Sequence, residues 1–151
     1  MILKIPNQLY TCACIALVMM TAACQKDETT TDTNTTTSDN GFFYAENGTA
    51  TSIKADEAKA NQQYKTIIAT KNKQTVVEIN LSDFKVGTYS LASKYAFTYV
   101  KDNNHWEATA GNLKISKNEN GKISGTYDAT AGAGVTGVTS VKGKFTDIEI
   151  K

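Results

Sequence analysis

The sequence predicts an all-β fold, a single antiparallel β-sandwich with a small antiparallel β-barrel as the alternative, standing after a disordered linker. Three observations carry the prediction. Apolar residues alternate with polar ones at period 2 through most of the second half of the chain, the pattern of half-buried strands. Two Asn-Gly pairs, Asn47-Gly48 and Asn120-Gly121, fall between such runs, where a two-residue turn needs positive φ at both positions. Only "ADEAKANQQ", residues 55–63, has helix-forming composition, and it is too short and polar to bury a stripe, so we expect a turn of helix or a frayed strand end there.

The chain opens on a segment of different character. Lys4 is followed by "TCACIALVMMTAA", apolar or small throughout. At about a dozen residues it is shorter than the ~20 a membrane-spanning helix needs, and it reads as the apolar region of a signal peptide occupying residues 1–23. Thr21, Ala22 and Ala23 are small enough for a signal peptidase, and Cys24 follows them directly. Cys12 and Cys14 lie inside the part that would be removed, which leaves Cys24 without an intramolecular partner. An exported chain normally carries disulfides or no thiol, so a lone cysteine calls for another role.

This pattern resembles a bacterial lipobox, and the resemblance implies that Cys24 is acylated and becomes the mature N-terminus. The alternative is an ordinary secretory signal with an incidental cysteine. Each buried CH₂ contributes about 0.8 kcal/mol of membrane affinity, so the two or three acyl chains of such an anchor hold where one would not. Gln25, Lys26, Asp27 and Glu28 come next. They resemble the lipoprotein export signal of Bacteroidetes, which implies an address at the outer face of the outer membrane, with the periplasmic face as the alternative. Read by charge alone, they are a solvated run that opens a linker.

Residues 24–40 then form a tether: "TTTDTNTTTSDN" holds no apolar residue able to seed a core. Flexible-coil statistics place the following domain on the order of 20 Å from the membrane. Asp32-Thr33 begins like a Bacteroidetes O-glycosylation motif, but Asn34 stands where that motif has an apolar residue.

Residues 41–151 make one domain. Val77, Ile79 and Leu81 share a face of one run; Tyr95, Phe97 and Tyr99 share a face of another; Leu113 and Ile115 face inward while Asn112, Lys114 and Ser116 face water. The Asn-Gly turns give two hairpins, 42–46 with 49–54 and 112–117 with 122–128. In the last run Val141 and Phe145 are in phase while Ile148 and Ile150 are not, so a bulge is expected near Phe145. "ATAGAGVTG", residues 129–137, lacks packing side chains and reads as a mobile loop. The opening "FFYAENGT", the middle "VGTYSL", the hairpin "LKISKNENGKISGTYDAT" and the closing "VKGKFTDIEI" together resemble the small, functionally uncharacterised β-sheet lipoproteins of Bacteroidetes. That resemblance covers Phe42 onward and implies no activity.

Charge and residue types narrow the chemistry. The chain has 16 basic and 15 acidic residues, none of the basic ones an arginine. Loss of residues 1–23 takes Lys4 alone and leaves the charge balanced, which argues against a claim on nucleic acid. With one histidine, His105, no cysteine beyond the anchor and no Gly-x-Ser-x-Gly elbow, the sequence carries no recognisable nucleophilic triad, and one imidazole cannot make a closed His/Cys metal set, so neither a metal nor another cofactor is expected. Asp102 and Glu107 beside His105 would hold a hard cation weakly, and read more simply as surface charge at a turn. Asp83, Asp102, Glu107 and Asp128 are of the residue type that glycoside hydrolysis needs, and fifteen acids make some such pair inevitable. Trp106, with Tyr95, Tyr99 and Tyr127, would serve either as a stacking surface for a sugar or as core; Trp106 and His105, beside Asn103 and Asn104, are the candidate ligand contacts. The expectation is a non-catalytic binding or accessory module for an extracellular glycan or protein, with a protein-interaction, inhibitor or structural envelope lipoprotein as the alternative. A carboxylate-based hydrolase ranks last.

Overall fold

The computed structural model describes residues 39–132 and 137–151. The signal peptide, Cys24, Gln25–Glu28 and the tether up to residue 38 lie outside the described residues. From there the chain is all β: β1 (Gly41–Glu46), β2 (Ile53–Lys54), β3 (Glu57–Asn61), β4 (Thr66–Lys71), β5 (Gln74–Asn80), β6 (Gly87–Ser90), β7 (Phe97–Lys101), β8 (Asn104–Glu119), β9 (Lys122–Ala131) and β10 (Ser140–Glu149).

Hydrogen bonding orders these strands in one antiparallel ten-stranded sheet, β2-β1-β10-β9-β8-β7-β5-β4-β3, with β6 paired to β8 off that path. The sheet curls into a half-barrel. Its far edge, β3, is met by the backbone just past β10: Lys151 N–H donates to Ala60 O at 2.8 Å and Gln62 N–H to Lys151 O at 2.7 Å. The all-β antiparallel expectation therefore holds, in the form of one sheet turned on itself around its core.

Curvature comes from identifiable residues. On the β9–β10 ladder Gly125 stands opposite Phe145 and Gly143 opposite Tyr127. A Cβ on Gly125 would lie 2.6 Å from Phe145 Cζ, and one on Gly143 2.6 Å from Tyr127 Oη, so each glycine makes room for the ring across from it. Phe42 stacks against both rings, at 5.2 Å from Tyr127 and 6.1 Å from Phe145. The expected bulge is present: the β9–β10 register shifts between Phe145 and Ile148, with Asp147 at φ 51°. Both Phe145 and Ile148 thereby reach the core.

Most alternation readings hold. Val77, Ile79, Phe97, Tyr99, Leu113 and Ile115 are buried, while Asn112, Lys114 and Ser116 are exposed. Asn120-Gly121 closes the β8–β9 hairpin as a two-residue turn between Glu119 and Lys122, with φ of 53° and 70°. At Asn47-Gly48 the hairpin is shorter than expected, because β2 pairs only through Ile53 and Lys54. The Asn47 side chain is spent elsewhere: Oδ1 accepts from Thr139 N–H at 2.8 Å and Nδ2 donates to Gly137 O at 2.9 Å.

Three expectations are corrected. Residues 57–61 form a full strand, β3, rather than a turn of helix or a frayed strand end, since pairing Ala58 with Ala69 and Ala60 with Ile67 places small side chains in a ladder that overrides local propensity. Ala129–Ala131, expected in a mobile loop, complete β9 against Ala108–Gly111, where small residues suit a crowded bend. Tyr95 leaves the face it was expected to share with Phe97 and Tyr99, because β7 begins only at Phe97.

Candidate functional site

The two residues singled out as ligand contacts part company on β8. Asp102 and Asn103, at φ 51° and 62°, make a tight two-residue turn, so the strand begins at once with Asn104. Strand alternation then turns His105 to solvent and Trp106 inward. Trp106 is 4% exposed and packs between Phe97 and Tyr99, with ring centroids at 5.7 and 5.6 Å. The expectation that Trp106 offers a face to a ligand is therefore corrected: it is core. Its Nε1–H is the one buried side-chain polar atom without a hydrogen-bond partner among the described residues. Tyr99 and Tyr127 are core as well.

Tyr95 takes the exposed role instead, at 56% relative exposure. It sits third in the turn of residues 93–96, closed by Ala96 N–H donating to Ser93 O at 2.9 Å, and its φ is 64°. Such positions usually take Gly or Asn, because a Cβ is crowded there at a cost of roughly 1–2 kcal/mol. A tyrosine is held in this conformation from both sides. Tyr95 O accepts from Asn80 Nδ2 at 2.9 Å, and Tyr95 N–H donates to Glu107 Oε2 at 3.4 Å. Asn80 is itself fixed, taking the Thr66 hydroxyl on Oδ1 at 2.6 Å and donating from Nδ2 to Glu78 Oε1 at 3.1 Å.

The topology explains why a groove opens here. β6 and β7 pair in tandem with the same strand, β6 with Asn112–Ile115 and β7 with Asn104–Glu107. The chain between them, residues 91–96, must step across the gap beside the end of β5. A groove of about 430 Å³ results, lined by Asn80, Ser82, Tyr89, Ser90, Ser93 and Tyr95, with Lys94 Nζ 4.7 Å over the Tyr95 ring. Its volume falls in the range of small-ligand sites, and its lining joins an aromatic ring to hydroxyl groups.

A second polar cluster closes the opposite end of β7. Tyr99 Oη donates to Glu46 Oε1, and Lys101 Nζ donates to Glu46 Oε2 at 2.6 Å. Burial works to raise the Glu46 pKa, but the Lys101 and Tyr99 hydrogen bonds outweigh it and hold the carboxyl below the usual glutamate value. Burial first, and then the bond to Glu46, push the Tyr99 phenol far up. A cleft of about 180 Å³ lies beside this cluster. Every polar atom in the cluster has a partner, so it reads as a structural clasp.

Among the described residues no group of three or more His, Cys, Asp or Glu could hold a metal ion, and no helix is long and apolar enough to cross a membrane. Asp83, Asp102, Glu107 and Asp128 fall on separate segments: Asp83 accepts from Phe84 N–H at 2.7 Å and pairs with Lys85, and Glu107 holds Tyr95. Sequence reasoning grouped Tyr95 with Trp106, Tyr99 and Tyr127 as stacking surface or core, and period 2 placed it with Phe97 and Tyr99; the one signal that sets it apart is its position beside Ser93 and Lys94, polar neighbours suited to a turn. No protein-family model matches the chain, and no curated protein or solved structure matches it.

Proposed function

We propose that this chain is an outer-membrane lipoprotein, anchored through an acylated Cys24 and addressed to the cell surface by Gln25–Glu28, whose all-β domain is a non-catalytic binding module. The observation that carries the binding role is Tyr95. A bulky ring is kept in solvent, on a backbone conformation that two neighbouring strands must hold, at the mouth of a groove. The ring lies outside the hydrophobic core, and an aromatic fixed in place reduces the ordering cost when a ligand arrives. The sequence supports the anchor, since Cys24 stands between an apolar leader and a tether free of apolar residues, and the polar and charged run Gln25–Glu28 directly after it supports the address.

Protease shaving of intact cells, with mass spectrometry of the N-terminal peptide, tests the placement. The expected result is release of the domain while periplasmic controls survive, with lipid on Cys24. A protected domain would sink the surface address, and an unmodified Cys24 would sink the anchor.

A further inference from the structure

We infer that the groove beside Tyr95 binds an uncharged saccharide, one pyranose ring stacking on Tyr95 while its hydroxyls meet Ser82, Ser90 and Ser93. The inference deepens the binding-module reading and rests on it.

The ligand class follows from three features of the groove. Its platform is a phenol, an apolar face with a polar tip, which suits the C–H face of a sugar ring that carries hydroxyls at its rim. Lys94 Nζ lies 4.7 Å from the Tyr95 centroid, so one face of the ring is already covered and a single sugar stacks on the other. Around the ring, Ser82, Ser90 and Ser93 are exposed. Their hydroxyls both donate and accept, as a sugar's hydroxyls do.

Charge sets the ligand apart from acidic glycans and phosphates. Among the described residues Lys94 is the only charged side chain lining the groove; Glu107 accepts from Tyr95 N–H in the turn that carries it, and Glu78 accepts from Nδ2 of Asn80, which holds the Tyr95 carbonyl. One ammonium beside two carboxylates leaves no excess of positive charge to hold an anion, and the chain has no arginine to grip a carboxylate or phosphate in a fork. Specificity in such a site comes from ring stacking and hydroxyl pairing rather than from a counter-ion.

The turn supplies a variant that separates binding from folding. Glycine is the residue its backbone favours, so Tyr95→Gly removes the ring without straining the turn. Cellohexaose, maltohexaose and mannohexaose are titrated into the full chain, with an oligogalacturonate as the charged comparison. We expect at least one neutral hexaose to bind better than the oligogalacturonate, with affinity falling about tenfold or more in Tyr95→Gly while the melting temperature stays within a few degrees of the natural chain's. Binding that persists in Tyr95→Gly, preference for the oligogalacturonate, or no binding by any neutral hexaose overturns the inference. A photo-crosslinking residue at position 95, displayed on intact cells, separates that failure from failure of the broader reading. A protein adduct at position 95 with no sugar binding removes the saccharide and leaves a binding module. No adduct of any kind removes both.

Discussion

Two tyrosines four residues apart, one inside β7 and one just before it, meet opposite fates. Tyr99 lies within β7, 1% exposed, its hydroxyl given to Glu46 and its ring to Trp106 and Tyr44. Tyr95 stands just before β7, 56% exposed, its ring in solvent and its backbone taken by Asn80 and Glu107. At Tyr99 the backbone is ordinary and the side chain is fully used; at Tyr95 the backbone is costly and the ring, with Lys94 over one face, stays largely open to solvent. The first arrangement stabilises the domain, and the second presents a ring at the domain's expense.

That contrast breaks most sharply under truncation. Tyr99→Ala should cost about 3–5 kcal/mol, the range for losing a large core aromatic, read as a shifted midpoint in chemical denaturation. A loss below about 1 kcal/mol would mean the β7 end is not packed as described. Glu46→Ala comes next, at about 1–3 kcal/mol, because it leaves the Tyr99 hydroxyl and the Lys101 ammonium without their partner.

The Glu46 contribution also has a defined pH dependence. Its folded pKa is lowered, so the stabilisation is fully present above the unfolded glutamate value and is lost as pH falls through the folded one. The melting-temperature gap between the natural chain and Glu46→Ala should therefore be wide at neutral pH and narrow in acid. A gap independent of pH would show that the charge of Glu46 contributes nothing.

Smaller effects sharpen the same comparison. Trp106→Phe loses ring volume but also removes the buried Nε1–H that has no partner, and the two should nearly cancel, leaving a change within about 1 kcal/mol. A large loss would reveal a partner for that group. Tyr95→Gly should be the mildest change, shifting stability by less than about 1 kcal/mol, since relief of the positive-φ backbone opposes the greater freedom glycine adds to the unfolded chain. Hydrogen exchange at Ala96 N–H, which closes the turn, should then be no faster than in the natural chain.

Much of this fold is legible in the sequence where side chains alternate without interruption. Val77 and Ile79, Leu113 and Ile115, and the phase change after Phe145 all predict their positions. The signal fails where the backbone steps out of phase. Asn72-Lys73 and Asp102-Asn103 form tight turns with positive φ at both positions although neither pair contains glycine, so they leave no Asn-Gly mark. Trp106 follows such a turn, and its polar neighbours suggested a loop edge where a strand begins. Small residues mislead in a different way. Ala58, Ala60, Ala129 and Ala131 carry little hydrophobic signal, yet they occupy places where strands approach closely, which makes them look like helix or loop to a local reading.

The pairing of β1 with β10 sets when this protein can finish folding. Phe42 meets Phe145, and Gly41 meets Thr146, across about a hundred residues of intervening chain. Closing so long a loop costs entropy before any contact repays it, and topologies of this kind fold in milliseconds to seconds rather than microseconds. Until β10 arrives, β1 carries an unpaired edge, and Phe42 has neither Phe145 nor Tyr127 fixed beside it. A chain emerging from N- to C-terminus thus stays open, and exposed to association with other open chains, until its closing strand is delivered.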